Sequence, residues 1–590
     1  MNKNIENKDK SIKAAGAYLL CLLTAFIIML ICTRSSPLYA CNNWDDSNSY
    51  FTVGKSIFKG LVPYRDLFDQ KGMMLYTLYG IASLISYKTF FGVFIIEVIA
   101  ASLTCTAMFK ILNLYMRPAI GMVLMPGAAA FIYSTRSFWW GGSAEEMMMP
   151  LFMWGLYLSV RYFKDEYPKP VSNKTLIIGG ILAGCVLNIK FNSLGFFFAW
   201  MVMILIADLT IDPRSAESSF GKKLDDNNTE QETGNSDEAH NKSFMLGTRL
   251  KKCVIHGCIF LLGMFIATIP WIVYFAVNGA LYDWFHVYIY LNVFVYSEKL
   301  PLIERFYNML KIIYNHMLSN PYCGVLAALG GIGFIVMKSK WIEKLNVVML
   351  AGFTGLLIFI GGVELQYYSL PLWTFAILGM IAIGRIVEYV FINSISKKKS
   401  KAGINPYSSD GDENSSTNKK QLSDEGDTVT DANKAIVDAG NLPSGEGGHT
   451  IQGIMIFCAV ILATIISYAT SMNTFFMKYD RDDIWLYHFT DIVENSGIEN
   501  PTLLNVGCFD AGLYTTCGIT PTCRFFQTQT IKISDVGEVQ DDFIRNGRTD
   551  FVLARDTIPD NITDHYELIA EEKWEQSGLE TVFSLYQLVK

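Results

Sequence analysis

Several signatures are missing from this sequence. Its twelve cysteines contain no CxxC pair, which removes zinc-ribbon folds. No stripe of Lys and Arg with interleaved aromatics is present and the net charge is a modest -7, so nucleic acid is not an expected partner. No small-residue cleavage site follows the first apolar run, Ala14 to Cys32, which is also too long for a signal-peptide core, so it reads as a retained anchor. There is also no internal repeat of the kind that transporters carry.

What is present in quantity is apolar surface. Hydrophobic residues make up 51% of the 590 and the mean hydropathy is +0.27, too apolar for an ordinary soluble protein. The 14% of aromatics suits interfacial belts. Long, nearly uncharged runs predict eleven transmembrane helices, at about 15–33, 90–110, 118–134, 146–163, 174–190, 193–211, 253–276, 321–338, 344–362, 367–392 and 450–472. Lys3, Lys8, Lys10 and Lys13 put residues 1–14 in the cytoplasm. Lys110 with Arg117, Lys338 with Lys340, and Lys397 to Lys399 then also fall inside, and the C-terminal end falls outside. Gly72 to Ser86 is apolar but short and reads as an interfacial or half-buried helix, since counting it as a crossing would turn those basic loops outward. The expected fold class is thus a mainly α polytopic membrane protein.

Two polar inserts, 212–248 and 397–448, have the composition of disordered cytoplasmic linkers. After the last span at 450–472, residues 473–590 alternate short apolar runs with polar helix-like stretches, which predicts a small α/β domain outside the membrane. Its Cys508, Cys517 and Cys523 allow one disulfide with one thiol left over, or a link to Cys41.

The chemistry concentrates in the outer loop, 34–89. Asp45 and Asp46 precede apolar residues at helical spacing, Tyr50, Val53, Ile57, Phe58 and Leu61. One acid there is explained as an N-cap, the other is not. A transfer to a hydroxyl needs a carboxylate base within hydrogen-bond reach. Arg34, Lys55, Lys59, Arg65, Lys71, Arg136 and Lys190 are cations on the side where cations should be scarce. Lys55 and Lys59 read as snorkelling to lipid headgroups, whereas Arg65, Lys71 and Lys190 read as binding an anion such as a lipid phosphate. The run from Pro63 to Gly72, PYRDLFDQKG, alternates acid and base and suits a clamp on a sugar and its phosphate, although Arg65 with Asp66 or Asp69 can equally be a loop-fixing ion pair. Glu145 and Glu146 open the fourth span, where helix capping and substrate binding compete as explanations. Trp139 and Trp140 fit a sugar platform or an interfacial belt. Glu97 is an acid well inside a span with no partner visible in the sequence.

Together the acid pair at Asp45-Asp46, the run at 63–72, the loop Gly141-Gly142-Ser143-Ala144-Glu145-Glu146, the Lys190 turn and Tyr367-Tyr368-Ser369-Leu370-Pro371 resemble the bacterial glycosyltransferases of the GT-C superfamily. The likeness is greatest to the family-39-like (RgtA/B/C/D-like) proteins, related to protein O-mannosyltransferases and lipid A aminoarabinose transferases. It covers about 15–392 and implies a GT-C-like helical catalytic domain. It also implies an inverting transfer of a monosaccharide from a polyprenyl-phosphate donor to a cell-envelope glycan, lipid or protein acceptor. Asp45 is then the expected base, with Asp46 beside it. Arg65, Lys71, Arg136 and Lys190 are expected to bind the donor phosphate. Tyr64, Asp66, Asp69, Glu145, Glu146, Tyr367 and Tyr368 are expected at the sugar or acceptor. Gln70 stands where close relatives often carry His, and Glu364-Leu365-Gln366 replaces a more usual His-Tyr approach, so no tightly held metal is expected. The rival readings are a transporter or flippase for a lipid-linked saccharide, which should show paired polar sites at mid-membrane, and a non-catalytic glycan-binding membrane protein.

Overall fold

The computed structural model describes residues 2–211, 235–296, 301–401, 446–531, 533, 535–576 and 579–589. Apolar runs fold into helices wherever spans are expected. These are α1 (Asn2–Cys32), α4 (Phe91–Tyr115), α5 (Pro118–Tyr133), α6 (Ala144–Arg161), α7 (Asn173–Leu187), α8 (Gly195–Thr210) and helices at Asn235–Val277, Pro321–Val336, Trp341–Phe359, Ala376–Lys401 and Glu446–Thr470. By length and composition seven helical stretches among the described residues are able to cross a bilayer alone. An eighth is a bent pair, Leu302–Ser319 and Pro321–Val336, turning through 113°. The expectation of eleven therefore exceeds what length alone supports. α5 and α7 have 16 and 15 residues, and α6 carries Glu145, Glu146 and Arg161 at its ends. These three are largely enclosed by other helices, so they need not match the lipid thickness themselves.

Two further helices lie at the mouth of the bundle. α2 (Asp45–Ile57) has two acids in its first turn, which the helix dipole favours. α3 (Met73–Ile85) has 13 residues, about 20 Å of helix, too little to cross about 30 Å of hydrocarbon. α2 and α3 cross at glycines: a Cβ on Gly54 would lie 2.5 Å from the Tyr76 carbonyl oxygen and 2.6 Å from the Gly80 nitrogen. Absence of side chains at Gly54 and Gly80 therefore sets how close the acid-bearing helix approaches the bundle.

The C-terminal part is the expected small α/β unit. Leu503–Val506 (β1) pairs in parallel with Phe551–Arg555 (β2), β2 runs antiparallel to Leu579–Leu588 (β4), and β4 pairs with Tyr566–Gln576 (β3), giving the order β1-β2-β4-β3. The parallel pair needs a crossover, and the helix Asp535–Arg545 lies within it. Helix Trp485–Glu494 covers the sheet, with Trp485 stacked 3.8 Å from Phe583.

This unit sits on α2. Thr52 donates to Asp510 at 2.6 Å, Ser49 to Gln527 at 2.6 Å, Thr515 to Asn48 at 2.9 Å, and Arg524 to the Tyr64 carbonyl at 2.9 Å. Lys55, expected to snorkel, is instead fully buried here and donates to the Tyr514 carbonyl at 2.6 Å, with burial lowering its pKa to about 7. The lipid-facing reading fails because the tail domain, not the membrane, covers that face. All twelve cysteines are free thiols, so neither a pairing within the tail nor one to Cys41 is present. Of the polar inserts, 212–234 and 402–445 lie outside the described residues. Their flanks at 235–248 and 397–401 are helical, continuing the adjoining spans.

Gly54→Val should force α2 away from α3. We expect loss of about 2 kcal/mol or more, read as a lower unfolding midpoint in detergent. An unchanged midpoint would mean that the crossing is not tight.

Candidate active site

A cavity of about 570 Å³ opens between the 70–71 run, the 189–192 turn, the 288–296 segment, the end of the 341–359 helix and Tyr368. Its polar walls include Gln70, Lys71, Lys190, Asn192, Asn292, Tyr296 and Arg305.

The loop that carries Lys71 is built by its own side chains. Tyr64 has φ 70°, a left-handed conformation, and its hydroxyl donates to the Lys71 carbonyl at 2.6 Å. The Asp66 carboxylate accepts from the Val62 amide at 2.7 Å, and the Lys71 amide donates to the Tyr76 hydroxyl at 2.9 Å. Gly72 then donates to the Ile189 carbonyl at 3.0 Å. A Cβ at Gly72 would collide with the Asn188 carbonyl, so glycine is what lets this loop join the turn holding Lys190. Tyr288 fixes that turn from the other side, donating to the Leu187 carbonyl at 2.5 Å.

The acids are arranged between these cations. Asp46 Oδ2 accepts from the hydroxyls of Tyr367 at 2.8 Å and Tyr50 at 3.0 Å. Tyr367 packs edge-on against Trp44 at 5.0 Å. Glu145 is buried and paired with Lys190, whose ammonium sits 3.2 Å from the centre of the Tyr368 ring. Burial, reinforced by the charge of Lys71 and opposed by Glu145, lowers the Lys190 pKa to about 8. Burial pulls Lys71 down too, but Asp46 and Asp69 outweigh it and the net shift is upward. Asp69 is buried, with Oδ2 lacking a partner; burial raises its pKa to about 6 against the pull of Lys71.

Asp45 points elsewhere. It is half-buried and paired with Arg555 at the end of β2, 3.1 Å away, and burial, opposed by Arg555, raises its pKa to about 6. Of the sequence candidates, Asp46, Asp69, Lys71, Glu145, Lys190, Tyr367 and Tyr368 come together. Arg65 does not join them: it pairs with Asp66 at 2.8 Å on the surface and donates to the Asn278 carbonyl, the loop-fixing alternative. Arg136 is exposed on a short 3-10 turn (Arg136–Phe138) away from the cavity walls. Tyr64 is fully buried among Tyr76, Phe275 and Tyr288 and positions the loop rather than facing a ligand.

Glu146 also turns away. Its carboxylate accepts from the Gly142 amide at 2.7 Å and lies against Glu97, which accepts from Thr33 at 2.9 Å. Glu97 therefore has partners that the sequence did not reveal. The turn above it needs left-handed backbone at Trp139, Gly141 and Gly142, and a Cβ on Gly141 would strike the Thr33 hydroxyl. Among the described residues no group of three or more His, Cys, Asp and Glu is clustered to hold a metal ion.

Sequence reasoning missed Tyr50, Arg305, Tyr296 and Arg555. Tyr50 was legible, since i and i+4 share a helix face. Arg555 was not, as it reaches Asp45 from 510 residues away.

Removing one member of a buried ion pair strands the other, so Lys190→Met should cost about 3 kcal/mol. Adding Glu145→Gln should restore most of it, read by unfolding midpoints in detergent. Additive losses in the double variant would show that the pair is not coupled.

No family model and no curated protein matches this chain. Among solved structures, ArnT from Cupriavidus metallidurans bound to undecaprenyl phosphate superposes with a TM-score of 0.52 at 10% identity, over 97% of this chain and 98% of that one. The same protein in the apo state gives 0.48 at 11% identity, covering 98% of each chain. The archaeal oligosaccharyltransferase AglB from Archaeoglobus fulgidus, in complex with an inhibitory peptide and a dolichol-phosphate, gives 0.39 at 10%, over 92% and 69%. The first likeness is one of fold and runs through bundle and tail alike: this is a multi-pass helical membrane protein with the fold that the GT-C resemblance implied.

Proposed function

We propose that the protein is a membrane glycosyltransferase that takes a monosaccharide from a polyprenyl-phosphate carrier and passes it, with inversion, to a hydroxyl of a cell-envelope acceptor. The observation that carries this reading is that two half-buried lysines, Lys71 and Lys190, line one cavity and that a carboxylate held by two tyrosine hydroxyls, Asp46, acts on the charge of both. The bound undecaprenyl phosphate of the ArnT structure supports a lipid phosphate as the group for which such lysines are suited. The lysine-rich start argues for a cytoplasmic N-terminus, with the cavity and tail on the outer face.

In this mechanism the acceptor oxygen attacks the anomeric carbon as the bond from that carbon to the phosphate oxygen breaks. Asp46 takes the acceptor's proton, and Lys71 and Lys190 stabilise the charge that collects on the departing phosphate. Tyr367 and Tyr50 aim the Asp46 carboxylate. Asp46 suits the base role better than Asp45, because Asp45 is engaged by Arg555. Glu145 keeps Lys190 in place and Tyr368 forms the floor beneath it.

The test uses protein in nanodiscs with polyprenyl-phosphate-linked monosaccharides and a crude envelope acceptor, reading polyprenyl phosphate release by mass spectrometry. Asp46→Asn should lower release by about 100-fold or more, while Asp45→Asn should keep most of it. The reverse pattern would return the base to Asp45, and no release from any donor by folded protein would sink the reading. A pH profile adds a second check. Lysine is charged below its pKa, so phosphate stabilisation by Lys190 is present below about 8 and lost above it. Turnover should fall through that region in the wild type, and Lys190→Arg should move the fall to higher pH. An identical alkaline limb in Lys190→Arg would remove Lys190 from the step.

A further inference from the structure

One buried histidine has no part in the transfer chemistry above. His316 lies in the last turn of the helix Leu302–Ser319, just before the 113° bend. It is 1% exposed, and its ring stacks on Phe359 at 5.2 Å. Nδ1 lies 3.0 Å from the Ser369 hydroxyl, while Nε2 is buried with no hydrogen-bond partner. The one hydrogen bond of this side chain therefore runs to Ser369.

The protons of that network can be placed one by one. Trp373 Nε1–H donates to the Ser137 hydroxyl at 2.9 Å, and the Ser137 and Ser369 hydroxyls are 2.6 Å apart. Ser369 donates to the Gln366 carbonyl at 3.1 Å. A hydroxyl has one proton and two lone pairs, so Ser369 accepts from Ser137 and from His316. His316 is thereby the Nδ1–H tautomer and acts as a donor. The same corner is closed by Asn320, which accepts from the Ser137 amide at 3.1 Å and donates to the His316 carbonyl at 2.9 Å.

Ser369 is where this network grips the stretch that carries the two site tyrosines. The 3-10 stretch Gln366–Phe375 contains Pro371, which has no N–H to give to the turn before it. Side-chain bonds must therefore supply part of its hold. With three residues per turn, neighbouring side chains leave the axis about 120° apart. Ser369 turned towards His316 thus leaves Tyr368 beneath Lys190, with 3.2 Å between ammonium and ring centre. It leaves the Tyr367 hydroxyl on Asp46 at 2.8 Å. Rotation of the stretch would withdraw both.

We propose that His316 is a positioning residue of the transfer step, whose Nδ1–H fixes the rotation of the 366–375 stretch through Ser369. The kinetic consequence rests on the function proposed above, and the geometric consequence does not.

Asparagine places an amide N–H where histidine carries Nδ1, and glutamine places one near Nε2 instead. Neither stacks on Phe359 as a ring does, so a merely structural role would treat the two alike. With the full chain in nanodiscs, His316→Gln should lower polyprenyl phosphate release about tenfold, and His316→Asn should keep most of it. Ser369→Ala should match His316→Gln, and the two combined should lose little more. A second arm reads fluorine NMR of fluorotyrosine placed at position 368, whose resonance should shift in His316→Gln and return in His316→Asn. No release by the wild type would end the transfer reading, and the fluorine arm would still decide the positioning. With release present, equal release from the two variants overturns the proposal. So does a resonance that His316→Gln leaves unmoved or that His316→Asn fails to restore. If His316→Gln does not fold, Ser369→Ala takes its place in both arms, with Ser369→Thr, which keeps the hydroxyl, as the rescue.

Discussion

Burying an ion near a membrane surface costs several kcal/mol unless a partner of opposite sign is buried with it, and the site is arranged around that constraint. Glu145 lies against Lys190, and Asp46 and Asp69 surround Lys71. No one segment of this chain supplies the whole set of charges. The 62–72 loop brings Lys71 and Asp69, the 187–192 turn brings Lys190, and α6 brings Glu145. These three must meet to within hydrogen-bond distance, which is why the joints between them are made by backbone bonds and by a glycine at 72 that leaves room for the Asn188 carbonyl.

The same constraint explains the unequal fates of neighbouring residues. Asp45 and Asp46 project about 100° apart on one helix. One meets the hydroxyls of Tyr367 and Tyr50 and the other meets Arg555 of the tail. Glu145 and Glu146 divide in the same way, one towards Lys190 and the other beneath the Gly141-Gly142 turn with Glu97. Arg34 is the exception, a buried cation whose contacts are aromatic rings. The tail domain is part of this arrangement, since it buries Lys55 and one face of α2 and so holds the helix that carries both acids.

The helical bundle and the small mixed sheet were legible in the sequence because both follow from local pattern. Long apolar runs must satisfy their backbone internally as helix, and the runs Leu503–Val506 and Phe551–Leu553 are short and apolar enough to read as strands. The run at 63–72 and the Lys190 turn stood out in the sequence because cations expected on the outer side call for a local reason, and the structure brings Lys71 and Lys190 to one cavity. Arg65 and Tyr64 misled, since a residue type does not say whether its side chain closes a loop or faces a cavity.

The sequence by itself determined that this is a membrane protein with helices in eleven places, a polar loop after the first of them and a folded tail. Periodicity and hydropathy act over a few residues and need no knowledge of neighbours. Only the tertiary structure decided which acid of each pair lies by the two lysines, that Lys55 is covered by protein, that Glu97 has partners, and that Arg555 reaches Asp45. Each of these depends on contacts between segments tens to hundreds of residues apart, and long-range packing leaves no trace in local spacing.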